Sequence, residues 1–177
     1  MLELELGLVK TGLRAAQILW CLLLTALIGN VIALSLKPAP SATAAVGFTM
    51  FVVVASWLAA IYGLLARLFP SIESVNIQLP ADAAGVLLTF IDSIVLSAKL
   101  GVANCGDIDK EKVPDSWIAW GSSDDGKRCR EIQAGAVFMW FLFACFVGSG
   151  YFTWSDSRRM RGFSIPTSKP SMTEYSV

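Results

Sequence analysis

The chain has 177 residues, 55% of them hydrophobic and 16% charged, and its fourteen basic and fourteen acidic side chains cancel to a net charge of zero. One soluble core of this size cannot enclose so much apolar surface, so the composition excludes an ordinary soluble domain and points to an integral membrane protein. With balanced charge and no basic stretch interleaved with aromatics, nucleic acid is excluded as a partner.

Four apolar runs, 13–36, 42–69, 83–103 and 133–154, reach the length that a bilayer crossing requires, about 20 residues. They are taken as the spans of one membrane domain, 13–154, flanked by a short N-terminal segment, 1–12, and a tail, 155–177. The first run is too long for a signal-peptide core and follows Glu3, Glu5 and Lys10 rather than a basic region, so it is expected to stay in the mature protein. It carries the polar residues Gln17 and Asn30.

Span 2 contains Ser56, and its Ala55, Ala59 and Gly63 recur every fourth position as a smooth face for close helix contact. Span 3 holds "TFIDSIVLSAKLG", with Asp92 deep in apolar surroundings and Lys99 toward the far end. A central aspartate costs about 2.5 to 3.5 kcal/mol on insertion, while each large apolar residue returns only about 0.3 to 0.6 kcal/mol. Asp92 should therefore face protein. Lys99 shares its helix face two turns on, at about 10.5 Å of rise, too far for a direct bond but near enough to the interface to snorkel. Gln17, Asn30 and Ser56 on neighbouring spans, or Ser93 and Ser97 on the same span, are the expected partners. Two readings stay open: a polar clamp that fixes helix packing, which a single deep acid in so small a protein favours, and a proton- or ion-coupled site. Span 4 repeats the small-residue spacing with Ala144 and Gly148. These faces serve the internal bundle, the favoured reading, or a homo-oligomer.

Between spans 3 and 4 lies the one long loop, 104–130, bracketed by Cys105 and Cys129. The bracketing predicts a disulfide rather than two unrelated thiols, and a disulfide places the loop in an oxidising compartment. Four spans put both termini on one side, which is then cytoplasmic. Lysine and arginine counts, seven on each side, do not decide the matter, although the cluster of Arg158, Arg159 and Arg161 after span 4 leans the same way. Trp117 and Trp120 in the loop, with Arg128 and Arg130 at its end, are expected to meet lipid headgroups. The Ser/Thr-rich tail cannot build a core and is expected to be flexible, its arginines resting on an anionic leaflet. No histidine, phosphate-binding glycine loop or paired nucleophile and base occurs, so an enzyme, a metal site and a cofactor are not expected.

Three stretches carry a family likeness: "LRAAQILWCLLLTALI" in span 1, "FIDSIVLSAKLGVANC" in span 3 and, most specifically, "RCREIQAGAVFMWFLFACF" leading into span 4. Over residues 8–156 the chain resembles fungal MARVEL-domain proteins of the non-classical export protein 2 group. The resemblance implies an all-α, antiparallel four-helix transmembrane bundle with cytoplasmic termini. It also implies a non-enzymatic role in organising lateral plasma-membrane domains such as the eisosome, with links to sphingolipid signalling and unconventional export. The family's span 3 acid falls on Asp92, its loop cysteines on Cys105 and Cys129, and its basic flank on Arg128 and Arg130. Expected partners are membrane lipids, sphingolipid or sterol among them, together with other membrane proteins or a second copy. The loop is longer and more acidic than the export group suggests, and the tail diverges.

Overall fold

The computed structural model describes residues 2–36, 39–69, 74–101, 105, 117–122 and 124–162. Four helices make up its regular structure: α1 (Leu2–Ala33), α2 (Pro40–Leu68), α3 (Val75–Leu100) and α4 (Asp125–Gly162). In hydrocarbon each segment must satisfy its own backbone N–H and C=O groups, which leaves the helix as the form open to long runs of Leu, Ala, Val and Phe. Pro40 and Gly101 sit at helix ends, whereas Pro80 lies inside α3, past its first turn, where it removes one intrahelical bond. Pro40 occupies the first turn of α2, where its missing N–H has no intrahelical partner to lose. Gly101, at φ 65°, ends α3 in a conformation that disfavours a side chain.

Each of the four helices is long and apolar enough to cross a membrane. They overrun the apolar stretches, because polar residues at the interface continue a helix at little cost. Residues 155–162, expected to be flexible, are the last two turns of α4, while 163–177 lie outside the described residues.

Every helix packs against its neighbours in sequence, and α1 against α4 closes the ring. At one end, Ser35 bridges Ser122, the Leu36 N–H donates to the Gly121 carbonyl, and Cys105 is bonded to Cys129. We call this the disulfide end. At the other, the terminal end, Lys10 of α1 pairs with Asp156 of α4.

Two apolar clusters fill the interior. The one at the disulfide end includes Ile28, Val31, Val46, Leu96, Ile118 and Ile132 with both bridged cysteines, and the central one includes Leu24, Val52, Met139, Leu142 and Phe146. Trp117 belongs to the first: its ring is buried and its Nε1–H donates to the Leu100 carbonyl at 3.0 Å, capping α3. This corrects the expectation of a headgroup contact, since a satisfied indole N–H removes the reason for the ring to seek water. Trp120 is half-buried against the same cluster. Outside the ring, Leu22, Phe51, Leu58, Leu87, Phe141 and Val147 stand exposed, an apolar belt of the kind that a membrane interior or a partner helix covers.

Candidate functional site

The most developed polar site lies at the terminal end, inside the ring. On α1, Arg14 and Gln17 are three residues apart; on α3, Gln78 and Asp82 are four apart; on α4, Ser149 and Thr153 are four apart. Each spacing sets a pair on one helix face, and the three faces converge. Arg14 Nη1 and Nη2 donate to Asp82 Oδ1 and Oδ2, both at 2.7 Å, joining helices on opposite corners of the ring. Neither side chain is more than 2% exposed.

Further hydrogen bonds support the pair. Arg14 Nη1 donates to Gln17 Oε1 at 3.0 Å, and Gln17 Nε2 donates to the Ser149 hydroxyl at 2.8 Å. The Thr153 hydroxyl lies 3.0 Å from Asp82 Oδ2 and accepts from Gln78 Nε2 at 3.3 Å. A buried ion pair survives desolvation only with such geometry and such supporting bonds. The guanidinium also explains Gly63. A Cβ there would stand 2.5 Å from Arg14 Cζ, so α2 needs a glycine to let the side chain lie against its backbone. Lys10 and Asp156, 2.6 Å apart, cover the network from outside.

A second polar site sits nearer mid-membrane. Asp92 is fully buried, and its Oδ1 accepts from the Thr49 hydroxyl of α2 at 2.9 Å. Among the described residues, Asp92 Oδ2 and the buried Ser56 hydroxyl have no hydrogen-bond partner. The expected partners are engaged elsewhere: Gln17 with Arg14, Asn30 with Glu131, and Ser93 with the Phe90 carbonyl. Ser97 and Lys99 are exposed. The correction has a simple cause, for Asp92 points at α2, while Gln17 and Asn30 are held by charged groups that bind them more strongly.

The other predicted residues fall in several settings. Ala55 and Ala59 are half-buried along the seam between α2 and α3, and Gly148 is half-buried beside Leu13. Ala144 is exposed, because four residues advance a helix about 40° beyond a full turn and carry it off the face that Gly148 presents. Arg130 is exposed, and Arg158 lies over the Trp154 ring at 3.9 Å. Arg128, expected at the headgroups, is buried next to the bridged Cys129 and lines a cavity that it shares with Ile32, Ser35 and α2. The side chains of Arg159 and Arg161 are outside the described set.

Sequence reasoning missed Arg14 and Asp82 as partners, together with Gln78, Ser149 and Thr153. The available signal was one basic and one acidic residue at the same-side edges of spans 1 and 3, next to hydroxyl and amide residues at helical spacing.

Four long apolar helices around a buried, self-satisfied polar network define an integral, multi-pass membrane protein. Residues 7–152 match the MARVEL membrane-associating domain, and the chain belongs to that family. No curated relative and no solved structure matches it.

Proposed function

We propose that the protein is a non-enzymatic organiser of the plasma membrane that builds or senses lateral lipid and protein microdomains of the fungal eisosome type, with a part in unconventional export. The observation that carries the reading is the contrast between inside and outside. At the terminal end Arg14 is paired with Asp82 and Lys10 with Asp156, while the outer face of the helices carries a belt of exposed Leu, Phe and Val. Such a molecule acts through what its outer face prefers to touch. Differential affinity for lipid states then biases where it accumulates. In this reading successive helices alternate in direction, both termini are cytoplasmic, the disulfide end faces outward, and sphingolipid or sterol, other membrane proteins and a second copy are the partners.

The test is partitioning of the tagged full-length chain in phase-separated giant vesicles, and its distribution in the plasma membrane of living cells. Enrichment in one lipid phase and in stable patches is expected; uniform distribution in both settings refutes the reading. Impermeant thiol reagents applied after mild reduction should reach Cys105 and Cys129 from outside the cell, and labelling only from the cytosol reverses the orientation.

One observation favours a rival. The unpartnered Asp92 Oδ2 is what a small proton- or ion-coupled channel would need at mid-membrane. A clamp needs only the bond to Thr49. Proton flux into liposomes that disappears in Asp92→Asn would establish the rival, and absence of flux from the wild-type protein removes it.

A further inference from the structure

We propose that the buried guanidinium of Arg128 anchors a lipid at the disulfide end, holding the phosphate of a phospholipid headgroup whose chains lie along the outward faces of α1 and α2. This rests on the lipid-associating reading above and goes beyond it, naming the group recognised and the residue that recognises it.

Arg128 is 1% exposed, yet among the described residues its Nε and Nη1 have no hydrogen-bond partner. An arginine so enclosed is costly unless an acceptor meets it. Of the carboxylates nearest in sequence, Asp125 lies close enough to attract the guanidinium but no hydrogen bond joins the two among the described residues, and Asp124 Oδ1 accepts from the Lys127 N–H. Asp125 Oδ1 accepts from the Ser122 N–H and hydroxyl, and Glu131 Oε1 accepts from Asn30 and lies 3.9 Å from Lys127 Nζ. Glu131 Oε2 is itself buried without a partner, and no ion pair joins it to Arg128 among the described residues.

Beside the guanidinium is a cavity of about 170 Å³, lined by Arg128, Ile32 and Ser35 of the α1 end, and Thr43, Val46 and Gly47 of α2. Its chemistry is graded. The Ser35 and Thr43 hydroxyls donate to the Val31 and Ala39 carbonyls, which leaves their lone pairs for hydroxyl or amine donors of a headgroup. The planar fork of Arg128 suits the paired oxygens of a phosphate. Ile32, Thr43 and Gly47 are exposed, so the cavity opens on the outer surface rather than into the ring. Along α2 the same surface continues with exposed Phe51 and Val54, an apolar lane for an acyl chain leading up to a polar mouth. A soluble anion would gain nothing from that lane, which is why the occupant is placed in the membrane.

The test uses the intact, oxidised chain in micelles doped with phosphatidylinositol or, in parallel, with a diacylglycerol of the same acyl chains, read by native mass spectrometry. Wild-type protein is expected to retain phosphatidylinositol and not diacylglycerol. Arg128→Gln should lower retention about tenfold or more, as the loss of charge-assisted bonds implies. Gly47→Leu provides a second variant that leaves Arg128 in place. A Cβ at Gly47 meets nothing within 4 Å, so the larger side chain grows into open space at the mouth, and it too should lower retention. Equal retention of the two lipids, or unchanged retention in both variants, overturns the proposal. So does inorganic phosphate that protects the protein from thermal unfolding through Arg128 while no lipid is retained, since the anion is then soluble. Uniform partitioning in vesicles would refute the organiser reading while leaving a retained phospholipid in place, so the two failures are separable.

Discussion

Replacing Asp82 by asparagine keeps the shape of the side chain and removes its charge, leaving Arg14 buried between three helices with one amide in place of a carboxylate. Breaking a buried pair by removing one member costs about 3 to 5 kcal/mol, because the survivor is an uncompensated ion. The two 2.7 Å bonds and the burial of both partners argue for the full effect. The position of Arg14 near the terminal end offers relief, since a freed guanidinium can swing toward the headgroups, which sets the expectation at the lower bound of about 3 kcal/mol. That is roughly a hundredfold in the folded fraction, readable by denaturant titration of the purified protein in mixed micelles. The double variant Asp82→Asn with Arg14→Leu should recover much of the loss, because no buried charge remains. A single variant within about 0.5 kcal/mol of wild type, or a double variant as unstable as the sum of the singles, refutes the account of a cooperative ionic lock.

Gly63→Ala should destabilise the wild-type bundle by about 1 to 3 kcal/mol, by pressing on Arg14, and should be nearly neutral beside Arg14→Leu; a cycle of thermal unfolding curves measures the difference. Gly85→Ala places a Cβ 2.6 Å from the Phe146 ring and should cost a similar amount, relieved by Phe146→Leu, in the same assay. Cys129→Ala should cost about 3 to 4 kcal/mol by loop-closure entropy, and wild-type protein treated with reductant should match it. Trp117→Phe removes the bond to the Leu100 carbonyl and should cost about 1 kcal/mol, seen as faster hydrogen exchange at the end of α3.

The spans were legible because hydropathy over twenty residues is a property of the chain alone, and the run 42–69 differs from α2, Pro40–Leu68, by two residues at most. Cys105 and Cys129 were legible because two cysteines bracketing one loop leave few other pairings. Asp92 announced itself as a cost that had to be met, but its partner did not, because Thr49 is one of many hydroxyl residues in span 2 and its neighbours. The Arg14 and Asp82 pair was hidden for a different reason. Each residue alone reads as an ordinary charge at a span edge, and only the ring arrangement, with side chains reaching across it, brings together groups 68 positions apart. Trp117 was misplaced by a generalisation about loops near membranes; that its N–H would be taken by the last carbonyls of α3 depended on how the loop folds back.

The polar bonds are distributed along the bundle axis in a way that limits how it can respond to a bilayer of changing thickness. The ionic lock ties α1 to α3 and α4 at one end, the disulfide fixes α4 to the segment after α3 at the other, and the Asp92 and Thr49 bond pins α2 to α3 between them. Sliding or rotating any one helix would break a bond that lipid cannot replace. A mismatch between the apolar belt and the surrounding hydrocarbon is therefore met by tilting the whole bundle or by deforming the bilayer around it, so the strain is exported to the lipids rather than absorbed by the fold.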